Sequence, residues 1–123
     1  MAVQSTGCGP IVKAFEGGER EVETWENVTT EIHGVRVPNP IGGGLVLDVL
    51  YESNGFGTLV DDNTVNETRA RVCAEEGLHI CPEGAACLVA LEMERQTGRV
   101  GLDDRMAVFN SASGLKYPMP PMT

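Results

Sequence analysis

Short apolar runs and helix-length segments alternate along the chain, and almost every change is marked by glycine, proline or a capping residue; this rhythm constrains the fold more than any other feature. Ala2-Val3-Gln4 reads as a short strand leaving through the small residues Ser5-Thr6-Gly7-Cys8-Gly9. Pro10 suits the first position of a helix over Ile11 to Glu16, where its missing N–H has no intrahelical partner to lose, and Gly17-Gly18 ends that helix. Glu19 to Asn27 is acidic and reads as a surface excursion anchored by Trp25, and Thr30 to Pro38 as a brief extended piece closed by Pro38 and Pro40. Gly42-Gly43-Gly44 is a flexible turn ahead of a second helix, Leu45 to Ser53, capped by Asn54-Gly55. It lacks the lysine and Ser/Thr of a phosphate-binding P-loop and the spacing of a dinucleotide loop.

Gly57 to Val60 reads as a strand, after which Asp61 or Asp62 caps a third helix that Gly77 stops beyond Glu76. Val65, Val72 and Cys73 fall on one face of it, and Glu67 and Arg71, four apart, form a pair on the other. Leu78-His79-Ile80 reads as a strand, Cys81 to Ala86 as the turn into a fourth helix, and Gly98 as the end of that helix. Met106 to Phe109 has the bulk of a buried strand and breaks into Asn110, Ser111, Ala112, Ser113 and Gly114; the tail from Pro118 is extended. Alternation without internal repeats predicts an α/β fold, a three-layer arrangement with a mostly parallel sheet flanked by helices. At 123 residues, positions 1–123 are expected to form a single domain.

Charge narrows the partners. A net charge of −9 repels nucleic-acid phosphates and anionic membrane surfaces, so neither is expected as a partner. No apolar run is long enough to span a bilayer, and Met1 leads directly into Ala-Val-Gln-Ser-Thr without a secretory pattern, so the expected location is cytoplasmic. On that reading Asn27-Val28-Thr29 and Asn66-Glu67-Thr68, which match the glycosylation pattern, carry no weight. Cys8, Cys73, Cys81 and Cys87 form no Cys-x-x-Cys pair and read as reduced thiols, and His33 and His79 add no ligand spacing, so no metal is expected.

In α/β sheets ligands sit at the carboxyl ends of strands. The small hydroxylic residues after Phe109 would let a flat ligand approach the backbone there, with Ser111 offering one hydrogen bond. Glu83 stands between a strand end and a helix start, where the helix dipole favours an anion, and is either a terminal charge or a carboxylate aimed into a pocket. In a parallel sheet these ends open on one edge, so a pocket lined by Ser111, Glu83 and the His33–Arg36 loop is expected.

These same residues carry a resemblance. Pro82-Glu83-Gly84-Ala85-Ala86, followed by Val108-Phe109-Asn110-Ser111-Ala112-Ser113-Gly114-Leu115-Lys116-Tyr117, resembles the carboxyl-terminal part of threonine synthase, a member of the tryptophan-synthase-β-like (fold type II) group of pyridoxal-phosphate enzymes. Val3-Gln4, Gly7-Cys8-Gly9-Pro10-Ile11-Val12-Lys13-Ala14-Phe15 and Gly34-Val35-Arg36-Val37-Pro38 match further stretches of it in one register. The resemblance implies pyridoxal phosphate as cofactor. It implies that Ser111 contacts the pyridine nitrogen, that Gly34 lies in a loop passing along the ring, and that Ser113 belongs to the same cofactor-binding loop as Ser111. A neutral hydroxyl on that nitrogen would favour elimination and replacement over transamination. Glu83 falls at the active-site turn and is the catalytic candidate, whereas Arg36 and Lys116 are expected to hold loop and tail in place.

The resemblance also implies that the Schiff-base lysine and the phosphate loop belong to an amino-terminal half absent here, since Lys13 and Lys116 fall at positions that do not bind the cofactor covalently. Ser111-Ala112 stands where Thr-Gly is usual, Gly43 where an Asp is common, and His33 where a small residue is expected. The expectation is a threonine synthase-like lyase fragment, inactive alone, completed by an amino-terminal half or by self-association through its uncovered edge. A stand-alone module binding an amino acid or phosphorylated metabolite, or a structural homo-oligomerisation domain, is the alternative.

Overall fold

Ala2–Ser5 (β1) and Gly57–Val60 (β2) pair in parallel, with Ala2 opposite Gly57 and Ser5 opposite Val60. The computed structural model describes residues Met1–Pro120 and divides the chain into two compact units, Met1–Asp61 and the part from Asp62 onward. The end of the tail, 121–123, lies outside the described residues.

In the first unit, the crossover between β1 and β2 carries Pro10–Glu16 (α1) and Gly43–Glu52 (α2). Helix α1 begins at Gly9 without a side-chain cap. Gln4, on β1, takes that role: its Oε1 accepts from the Ile11 and Val12 N–H groups at 2.9 and 3.0 Å. Two orphan donors at a buried helix start are thereby satisfied from the neighbouring strand. Ile11 and Ala14 of α1 bury against Leu47 and Leu50 of α2, and Phe15 stacks on Tyr51 at 4.9 Å between ring centroids. Tyr51 also donates to the Glu19 carbonyl at 2.7 Å, while the Arg20 guanidinium lies 4.3 Å over its ring. These contacts tie the acidic excursion to α2, and the backbone N–H of Trp25 adds a 2.8 Å bond to Pro38 O.

Two expectations for this unit need correction. Helix α2 starts at Gly43, two residues before Leu45, because Gly43 is held against Val22 and Pro40, where a side chain would not fit. The Thr30–Pro38 piece is not extended throughout: His33–Val35 form a 3-10 turn, with Thr30 and Ile32 buried just before it.

In the second unit, Asp62–Glu76 (α3) packs on Pro82–Gln96 (α4). Ala85, Ala86, Val89 and Ala90 of α4 and Val65 of α3 are buried. Gly77 and Gly98 adopt φ of +67° and +78°, the left-handed conformation that ends a helix at least cost for glycine. Arg71 does not pair with Glu67; it reaches across to Glu92 on α4 at 2.6 Å. Leu78–Ile80 is not a strand but a connector with a single antiparallel bridge, Ile80 to Ser113. Met106–Phe109 is likewise not a buried strand: it joins no ladder among the described residues, and Phe109 is 81% exposed. A strand exists only by pairing, and no neighbouring edge is presented to this run. No helix among the described residues is long and apolar enough to cross a membrane.

Candidate functional site

Pro82 occupies the first turn of α4, so Cys81 becomes its N-cap, with extended φ and ψ of −72° and 158°. Its thiol accepts from the Gly84 N–H at 3.3 Å, a role hydroxyl and carboxamide side chains usually fill. Asn110 completes the arrangement from the loop that returns beneath the helix. Its Oδ1 accepts from the Cys81 N–H at 3.2 Å and from the Cys81 thiol at 3.1 Å. The backbone N–H only donates, so this amide orientation is dictated by chemistry. Gly84 makes room for it, because a Cβ at position 84 would overlap Asn110 Oδ1.

Ser111 follows directly, exposed, with Oγ 3.8 Å from Cys81 Sγ. Ser113 is exposed too, but its Oγ accepts from the Leu115 N–H at 3.3 Å and so caps the 3-10 turn Gly114–Lys116. Gly114 anchors the loop by donating to His79 O at 2.8 Å, in a position where any side chain would strike the Ile80 and His79 backbone.

Glu83, at the second position of α4, is half-buried and hydrogen-bonds the Tyr117 hydroxyl. Burial foremost, and then Glu83, push the Tyr117 hydroxyl above its ordinary value, while Arg69 pulls the other way. Arg69, buried on α3, donates to Pro118 O at 3.1 Å and to Asn66 Oδ1 at 3.3 Å, and its guanidinium lies 6.0 Å from the Tyr117 ring centre. The tail is thus clamped at both ends of its last turn: Ser113–Gly114 onto the α3–α4 connector, and Tyr117–Pro118 onto Arg69 and Glu83.

Of the four site residues expected from the sequence, Glu83, Ser111 and Ser113 lie in the second unit around the start of α4. Gly34 lies in the first, exposed in the middle of its 3-10 turn. Asn110, Cys81, Arg69 and Tyr117 were not singled out from sequence. One signal was present: a proline at the first helical position makes the preceding residue the cap, so Cys81 had to face the Gly84 N–H.

The family of pyridoxal-phosphate-dependent enzymes matches residues 1–112. The chain belongs to that family. Membership implies pyridoxal phosphate as the cofactor. The chain is similar to threonine synthase of Methanocaldococcus jannaschii and of Methanosarcina acetivorans, each 28% identical over 116 residues. It is similar as well to the chloroplastic threonine synthase 2 of Arabidopsis thaliana, 28% identical over 120 residues. These alignments cover 94% or 95% of this chain but only 29%, 29% and 23% of the relatives, so the chain spans less than a third of their length.

The residues present fit part of such a site. The exposed Ser111 hydroxyl and the Asn110 amide sit on a loop held rigid from beneath, suited to meeting a flat ring. An amine that bonds a carbonyl at neutral pH must be desolvated or otherwise activated. Lys13 and Lys116 are both exposed, and Lys13 is 3.7 Å from Glu23 at the surface. Neither fits a covalent attachment.

Proposed function

We propose that this chain supplies one wall of the cofactor cavity of a threonine synthase-like lyase, with the rest of the cavity supplied by another polypeptide segment. The family reaction in amino-acid biosynthesis converts O-phosphohomoserine and water to threonine and phosphate, and the cytoplasm is the proposed location. When bound, pyridoxal phosphate supplies the electron sink for that chemistry. In this reading Ser111 would hold the ring nitrogen by a neutral hydroxyl, and Ser113, which caps the Gly114–Lys116 turn, would keep that loop in place. Glu83 orders Tyr117 and holds a negative charge at the α4 start.

The observation that carries the reading is the loop beneath α4: Asn110 fixed on Cys81, Ser111 exposed beside it, and the tail clamped by Gly114 and Arg69. The exposed Met106–Phe109 run and the surface position of both lysines support the second half of the proposal, a segment that completes the cavity. A complementing amino-terminal segment is favoured over a second copy of the chain, because a second copy would bring the same two exposed lysines.

The test is a titration with pyridoxal phosphate, followed by calorimetry and absorbance. It is run on the chain alone and on the chain mixed with the part of the Methanocaldococcus jannaschii threonine synthase that lies outside the matched segment. Binding strengthened by the added polypeptide is the expected result. No binding in either arm would overturn the cofactor reading.

A further inference from the structure

Asn110 has more to offer than a cap. A carboxamide carries an acceptor and a donor on opposite arms. Its acceptor is consumed twice by Cys81, through the N–H at 3.2 Å and the thiol at 3.1 Å. The donor arm has no partner among the described residues, and the residue is exposed. The amide cannot turn over to offer its oxygen instead, because that would set its NH2 against the Cys81 N–H, donor against donor. Gly84 holds the geometry from the other side, since the amide oxygen fills the space a Cβ would take. The result is an NH2 group locked in direction, one residue before the Ser111 hydroxyl, on a loop pinned at Gly114.

We propose that Asn110 is a ligand-binding residue, whose Nδ2 donates to an acceptor atom of the pyridoxal ring system alongside the Ser111 hydroxyl. This rests on the cofactor reading above. A flexible exposed amide loses rotamer freedom when it binds; one already immobilised by its own carbonyl does not, so its donor contributes more of its hydrogen bond to affinity. The arrangement also explains why a thiol caps α4. Cys81 accepts from Gly84 and donates to Asn110, so a single sulfur couples the helix start to the donor's direction.

The test separates the two arms of the amide. Asn110→Asp keeps the oxygen for Cys81 and removes the donor, whereas Asn110→Ala removes both. Pyridoxal phosphate affinity is measured for the full chain under whichever condition, alone or with the added amino-terminal polypeptide, gives wild-type binding. In parallel, the Asn110 side-chain NH2 cross-peak and the Cys81 amide exchange rate are followed by NMR. The expected results are a cross-peak that shifts on adding the cofactor and affinity about tenfold weaker in Asn110→Asp with Cys81 exchange unchanged. Asn110→Ala should show both weaker binding and faster Cys81 exchange. A cross-peak that stays in place at saturation, or Asn110→Asp binding as tightly as wild type, overturns this inference and leaves the cofactor reading standing. Absence of wild-type binding in every condition overturns both.

Discussion

Replacing Gly84 by alanine sets two well-understood effects against each other. Gly84 is the third residue of α4, and alanine is favoured over glycine in a helix interior by about 1 kcal/mol. On propensity alone the substitution stabilises. The contacts predict the opposite sign. The new methyl would overlap Asn110 Oδ1 and lie 3.1 Å from Asn110 Cγ and 3.3 Å from its Cα, so rotating the side chain does not clear it. Asn110 must retreat with its backbone, and the Cys81 N–H and thiol lose their acceptor. Cys81 is fully buried, so its orphaned N–H costs about 1–3 kcal/mol, and the lost thiol bond adds up to about 1 kcal/mol. After subtracting the propensity gain, Gly84→Ala destabilises by about 0–3 kcal/mol, a fall in Tm of up to roughly 12 °C for a chain of this size. Thermal unfolding by circular dichroism reads the sign directly. The double variant Gly84→Ala/Asn110→Ala removes the overlap with the amide and leaves only the 3.3 Å approach to Cα, so the cost of alanine at 84 should shrink sharply, and the cycle should show coupling well above 0.5 kcal/mol. A single Gly84→Ala variant that melts above wild type would refute the reasoning.

Other expectations follow from the same contacts. Gln4→Ala leaves the Ile11 and Val12 N–H groups without an acceptor and should lower the urea midpoint by an amount worth about 2 kcal/mol, whereas Gln4→Glu, which keeps an acceptor at the α1 start, should cost much less. Tyr117 titrates above its ordinary value of 10.0, so the folded state holds that proton more tightly than the unfolded chain. Its contribution is therefore complete below pH 10 and is lost as pH rises through the folded value; Tyr117→Phe should flatten the alkaline decline in a stability-against-pH profile. Cys81→Ala should cost about 1 kcal/mol by unfolding, and Cys81→Ser less, because a hydroxyl also caps. Amides 106–109 should exchange rapidly in the chain alone and become protected when the amino-terminal polypeptide is added; persistent exchange in a mixture that binds would exclude strand pairing there.

What could be read from the sequence was whatever is decided locally. Pro10 marks a helix start, Gly77 and Gly98 mark ends, and both ladder strands are short apolar runs next to such marks; α1, α3, β1 and β2 lie where punctuation puts them, whereas α4 begins at Pro82, inside the stretch read as a turn, because a proline is tolerated at the first helical position. The site is legible to the same depth. Glu83 and Ser111 stand out because each sits at an element boundary, but the residues that hold the loop in place do so by long-range contacts. Asn110 reaches Cys81 across 29 positions and Arg69 reaches Pro118 across 49, and neither pairing has a periodic signature.

Met106–Phe109 marks where local reading stops. Its composition is that of a strand, and the chain offers it no edge, so the same residues that argue for burial end up exposed. Composition reports what a segment would gain from a partner, while the fold reports which partners are present. In the reading proposed above, this exposed apolar run, next to the loop that carries Ser111, is where a segment completing the cavity would pack. The site and the exposed run are contiguous in sequence, so pairing at Met106–Phe109 would act directly on the loop held by Asn110.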